Sequence, residues 1–496
     1  MTMRFPLEVR KAFAKLPEEP AHIATKAPKW AEVFTPNDHQ GALDPGRSVV
    51  VGDRGTGKSF WSSVLISQDI RNIVAQQYPR LGLDRVEAQL GFSNAEMGAD
   101  HPTRTEIAEI LRAGHSAEDL WRAVLLRLAP FPPSTMPAMA SGWLQVVGWV
   151  AADASRRNAD FRALDEALTQ KGKVYVLVFD ALDVVADQWT DIRARLEGLI
   201  KLALAVRALR SVRIKLFIRP DMADDRRLWE VGDASKLRHT EVSLAWRRRD
   251  LYGLLWTLLA NAPDSAEDSG GKTFRDHCAR AFDMDFKYQN ESWRPPPRLV
   301  DDEDRQQQIF RALAGAFMGP VAKNGDTYKW VPNHLSDAAG FAAPRSFLLA
   351  MHKGAAETKS SDTVLDKGGI QAGARDASKV RVEELSEDYR WMGTVLKGME
   401  GLVVPITRQG LIAQWKDRRT LTALKGLAES ESRDRRFIPP GEVLEAGDED
   451  DAYSQLIEQL IRLKIFLPLA DGRINMPDLF RLQAKVKRKG GMKPRA

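Results

Sequence analysis

Cysteine is nearly missing from this chain, with Cys278 standing alone among 496 residues. A single thiol excludes an internal disulfide and any cysteine-built zinc or iron–sulfur centre, so Cys278 reads as structural. Long apolar runs are lacking too: no stretch approaches the roughly 20 residues that cross a bilayer. The opening "MTMRFPLEVRKAFAKLPEEP" lacks both the apolar core and the small-residue cleavage site of a secretory signal, so a cytoplasmic protein without membrane contact is expected. Histidines 22, 39, 101, 115, 239, 277, 334 and 352 fall at no metal-ligand spacing and form no recognisable Ser/His/Asp set. No internal repeat of roughly 20 to 50 residues is present, which argues against solenoids and propellers.

What remains is a globular composition, 44% hydrophobic and 28% charged, on a chain too long for one ordinary core. Two or three packed units are expected. Short apolar runs alternate with amphipathic segments up to about residue 357, the pattern of a parallel α/β sheet. The strand candidates are 48–52, 173–180 and 213–219, with weaker ones at 85–92 and 239–245. Helical periodicity marks 116–129, 191–209 and 247–262, which are expected to cover that sheet. Two stretches rich in Ser, Asp and Gly, 262–273 and 358–378, read as loop and linker.

Within "VVVGDRGTGKSFW", the residues from Gly52 to Ser59 fit G-x-x-x-x-G-K-[ST] at every position. Gly52, Gly55 and Gly57 let backbone N–H groups curl around phosphates, Lys58 reaches their oxygens, and the Ser59 hydroxyl suits Mg²⁺. An apolar strand before the loop and a helix after it, directing its positive end at the anion, are the flanks this chemistry needs. Phe60 is counted with these residues as a nucleotide contact. Mg²⁺ in such a site also needs a carboxylate at the end of a neighbouring buried strand. "VYVLVFDALD" supplies Asp180 as metal ligand beside Ser59, with Asp183 three residues on. No glutamate follows Asp180, so Asp183 stands as the candidate base.

The glycine loop, "VFDALD" and "KLFIRP", in that order, resemble the signal-transduction ATPases with numerous domains, the class of NACHT-type proteins within the AAA+ group. The resemblance covers residues 30–356. It implies that the ligand is ATP, that Arg219 senses the γ-phosphate from the end of its strand, and that Arg345, in the lid-like run "DAAGFAAPRSFLLAMHKGAA", reaches the nucleotide. The implied fold is an α/β P-loop NTPase core with a parallel sheet, a helical lid and a mainly helical C-terminal domain ending in a winged-helix-like module. Expected boundaries are 1–29 for an N-terminal segment, 30–261 for the core with a helical insertion at 75–170, and 262–357 for the lid. A linker at 358–378, the C-terminal domain at 379–482 and a basic tail at 483–496 complete the chain. The sequence departs from the family at Ala181, where glycine is common, and at Val184, where an acid is usual.

Near the C-terminus, "DAYSQLIEQLIRLKIFLPLADGRINMPDLF" reads as an amphipathic helix followed by a two-strand hairpin, the order of a winged helix. Its helix carries few basic residues, which favours protein docking or nonspecific nucleic-acid contact over sequence reading. Beyond it, Lys485, Lys487, Arg488 and Lys489 begin a run without acids that suits phosphate backbones or serves as a solvated tail. The resemblance implies an ATPase and nucleotide-dependent molecular switch, assembling with itself or with an effector protein and acting in bacterial defence against phage or in DNA handling. The alternative is a nucleotide-regulated DNA-binding or scaffold protein with little turnover.

Overall fold

The structure, a computed structural model, describes residues 4–17, 26–95, 97–138, 141–265, 268–430, 443 and 447–488. The chain forms two compact units, one of residues 21–30 and 35–245, the other of 1–20, 31–34 and 246–496.

The first unit holds the expected sheet. Its strands are β1 (Val49–Val51), β2 (Val86–Phe92), β3 (Val174–Phe179), β4 (Val212–Ile218) and β5 (Val242–Ser243), in the order β2-β3-β4-β1-β5. All neighbours are parallel, with Val49 opposite Leu216, Val50 opposite Val242, and Tyr175 opposite Val212. Burial of β1 and β3 along nearly their whole length explains why these strands read as unbroken apolar runs instead of alternating ones. Trp121, fully buried, joins the sheet to its helical cover: its ring meets Phe179 edge-on at 5.3 Å and its indole N–H donates to the Arg195 carbonyl at 2.9 Å. Trp121 lies on the Ala117–Leu128 helix, which packs against β2 and the Trp189–Val206 helix. The expected insertion at 75–170 therefore needs correction, because it contains β2 and a core-forming helix. Leu120, Trp121 and the run from Ala123 to Leu126 are as buried as the strands themselves.

The second unit is helical, and it claims three segments expected elsewhere. The Arg248–Ala260 helix, expected to cover the sheet, packs in this unit instead: Tyr252 stacks on Tyr328 at 4.2 Å and Trp256 on Phe274 at 5.5 Å. The N-terminal helix Arg4–Ala14 buries Val9, Ala12 and Phe13, and Arg10 donates to the carbonyls of Ser360, Thr363 and Val364 at 2.5, 2.6 and 3.2 Å. The stretch 358–378 is not a free linker, since the Lys367–Asp388 helix begins inside it. Its glycines serve a close helix crossing: a Cβ on Gly373 would lie 2.1 Å from the Ala350 carbonyl oxygen of the Pro344–Glu357 helix.

At the C-terminal end, the Glu449–Arg462 helix is followed by two short strands, Leu467–Pro468 and Ile474–Asn475, an antiparallel pair. Ile406 bridges Ile474 from an earlier segment, making a third strand position beside the hairpin. The start of the expected basic tail is part of the fold. Val486 is fully buried, and the short strand Lys487–Arg488 pairs in parallel with Val403–Val404. Lys489 and the residues after it lie outside the described residues.

Candidate phosphate-binding site

In a parallel sheet all carboxyl ends share one edge, and ligands of such folds sit there. Here the Gly52 loop follows β1, Asp180 follows β3, and Arg219 follows β4, the strand lying between them. The topology thus brings five of the sequence-expected residues, Lys58, Ser59, Asp180, Asp183 and Arg219, to one edge of one unit.

The loop begins as Gly52 donates its N–H to Ile218 O at 3.1 Å. A Cβ at Gly52 would stand 2.5 Å from Thr56 Oγ1, so only glycine fits. The Thr56 hydroxyl donates to Asp53 O at 2.8 Å, drawing the loop into a tight curl. Gly55 and Gly57 both take positive φ, +82° and +100°, which side chains resist. Gly57 is the N-cap of the Lys58–Ile66 helix and supplies no side-chain cap to its first turn. Lys58 Nζ rests on the carbonyls of Gly52 and Asp53 at 2.8 and 3.1 Å. Phe60 is partly buried and meets Trp61 edge-on at 5.6 Å.

Behind the loop, the Trp61 indole N–H donates to His39 Nδ1 at 3.2 Å. That contact makes Nδ1 the acceptor and leaves the His39 hydrogen on Nε2, which donates to Ala245 O at 3.0 Å. Burial depresses the His39 pKa to about 4, opposed by the Ala245 contact and Asp38. His39 is a strut that ties the loop helix to Ala245, two residues beyond β5, in a segment the sequence left without assignment.

Asp180 is buried, and its N–H donates to Phe92 O at 3.0 Å. The Ser59 hydroxyl hydrogen-bonds the Asp180 carboxylate, while Asp180 Oδ1 has no hydrogen-bond partner among the described residues. Burial raises the Asp180 pKa, against the pull of Ser59 and Lys58. Withdrawal from water lowers the Lys58 pKa, against the pull of Asp183 and Asp180. Each charge thus partly supports the other. A buried carboxylate oxygen without a partner, beside a serine hydroxyl, fits a hard cation that keeps waters and phosphate oxygens as its other ligands. Among the described residues no group of three or more His, Cys, Asp or Glu is placed to hold a metal.

Arg219 is held by two carboxylates. Its Nε and Nη2 contact Asp221 Oδ1 and Oδ2 at 3.1 and 3.0 Å, and its Nη1 lies 3.4 Å from Asp183 Oδ2. Asp183 sits in the short 3₁₀ turn Leu182–Val184, preceded by Ala181 in the left-handed conformation at φ 53°, ψ 34°. That backbone explains why glycine suits the position of Ala181.

The sheet order and the curled loop define the core as a P-loop NTPase fold. No family model and no curated protein matches the chain. Solved structures with similarity include the Aeropyrum pernix ORC2 protein in ADPNP–ADP complexes, at 11% identity over 95% of this chain and 94% of that one, with a TM-score of 0.38. The ADP form of the same protein gives 11% identity, 95% and 93% coverage and a TM-score of 0.31. Cdc6p from Pyrobaculum aerophilum gives 12% identity, 94% and 93% coverage and a TM-score of 0.28. Superpositions this loose add nothing to the geometry of the site.

The remaining expected residues lie in the helical unit. Arg345, in the first turn of the Pro344–Glu357 helix, is ion-paired with Glu384, which Arg381 also approaches at 3.5 Å. Lys485 lies 3.4 Å from Glu400, and Arg488 lies 3.9 Å from Asp478. No helix among the described residues is long and apolar enough to cross a membrane. Sequence reasoning missed Asp221 and His39. The first was legible as an acid two residues after Arg219; the second had no local signal, because its partners are 22 and 206 positions away.

Proposed function

We propose that the chain binds ATP with Mg²⁺ at the Gly52–Ser59 loop and acts as a nucleotide-dependent switch with ATPase chemistry. The observation that supports this most is the meeting of Ser59 and Asp180, with Asp180 Oδ1 buried and without a partner among the described residues, beside the Lys58 loop. In this reading the amides of Gly55, Gly57, Lys58 and Ser59 and the Lys58 ammonium hold the phosphates. Ser59 and Asp180 would hold Mg²⁺, which neutralises phosphate charge when bound. Arg219 would face the terminal phosphate, and Asp183, as substitute for the glutamate missing after Asp180, would orient the attacking water. Adenine preference and the sensing role of Arg345 rest on the resemblance to signal-transduction ATPases.

Contacts to the terminal phosphate favour one of two states, and their loss on hydrolysis favours the other. The C-terminal helix and hairpin are read as a winged-helix-like docking module for an effector or a second copy. The acidic first turn of the Glu449–Arg462 helix supports protein docking over phosphate-backbone contact. Defence against phage or DNA handling is the biological setting the resemblance offers.

Asp180→Asn tests the metal arm. Titration of ATP with and without Mg²⁺ is expected to show Mg²⁺-strengthened binding in the wild type and about a tenfold smaller Mg²⁺ effect in the variant. An equal Mg²⁺ effect in both proteins would remove Asp180 from the metal site.

A further inference from the structure

We infer that Asp221 is a positioning residue for Arg219, fixing which edge of the guanidinium faces the terminal phosphate; this rests on the phosphate-site reading above. Arg219 ends β4, Pro220 opens the short Pro220–Ala223 helix, and Asp221 is the second residue of that turn. The Asp221 carboxylate takes Nε and Nη2 on separate oxygens at 3.1 and 3.0 Å. Two parallel contacts to a planar group fix its plane and its rotation, which one contact does not. With Nε and Nη2 so engaged, Nη1 is directed at Asp183 Oδ2, 3.4 Å away. The side chains of Arg219 and Asp221 are 13% and 19% exposed, so the pair is sheltered from salt. The Arg219 charge acts on Lys58 as a repulsion. An anion that bridges Lys58 and Arg219 relieves that repulsion, and it meets the guanidinium at the edge Asp221 has set.

The same contact also closes the turn after β4, and a purely structural role is the rival account. Binding of MgADP and MgATP by calorimetry, on the full chain, separates the two for the wild type, Arg219→Ala, Asp221→Asn, the double variant and Asp221→Glu. Asp221→Asn is expected to weaken ATP binding about tenfold while leaving ADP binding within about twofold. The double variant is expected to lose no more than Arg219→Ala alone, and Asp221→Glu to recover part of the loss. Wild-type ATP affinity in Asp221→Asn, equal weakening of ADP and ATP, or additive losses in the double variant would each overturn the inference. A wild type that binds neither nucleotide would remove the phosphate-site reading itself, and this inference with it.

Discussion

At the scale of single residues, buried titratable groups give the phosphate edge a measurable signature. His39 is neutral in the fold, with its pKa depressed to about 4 from an ordinary 6.5. Between those values the unfolded chain binds the proton and the folded chain does not, so stability rises with pH through this window and is lost as pH falls from 6.5 towards 4. The expected loss from this group between pH 7.5 and 5 is about 2 kcal/mol, read as urea-unfolding free energies of the wild type minus those of His39→Gln. A difference that does not change with pH would contradict the neutral strut. Lys58, Ser59 and Asp180 were legible in the sequence because their chemistry dictates residue type and spacing together. His39 and Asp221 were less so: one depends on a carbonyl 206 residues away, and the other on a side-on geometry that spacing alone does not express.

At the scale of elements, the strands were the clearest features. β1, β3 and β4 are short β-branched and aromatic runs bounded by turn residues, and burial on both faces leaves such runs little else to be. The glycine-rich stretch at 358–378 misled for a physical reason. Glycine that frees a linker and glycine that admits a neighbouring backbone have the same composition, and here Gly369 and Gly373 face the Pro344–Glu357 helix. Gly373→Ala forces a methyl into the space of the Ala350 carbonyl and is expected to destabilise the helical unit by about 2 kcal/mol. Calorimetric unfolding checks this, and an unchanged transition would show that the crossing has room to spare. The Arg248–Ala260 helix carries a related lesson. Periodicity announces that a helix has a buried face, but not which core receives it.

At the scale of the whole molecule, the division into a sheet unit and a helical unit sets what each can contribute. The sheet unit carries the glycine loop, Asp180, Asp183 and Arg219, and the helical unit gathers the first 20 residues with everything from Trp246 onward. Arg10 shows why that partition was hidden: its carbonyl partners stand about 350 positions along the chain. Near the C-terminal end, Arg408, Arg473 and Lys485 pair with Glu458, Asp471 and Glu400. The central claim remains the loop. Titration of MgATP into the wild type and into Lys58→Ala, with circular dichroism confirming that both are folded, tests it most directly. The account predicts saturable binding to the wild type and a loss of at least about a hundredfold in the variant. Equal affinity in the two folded proteins would contradict it.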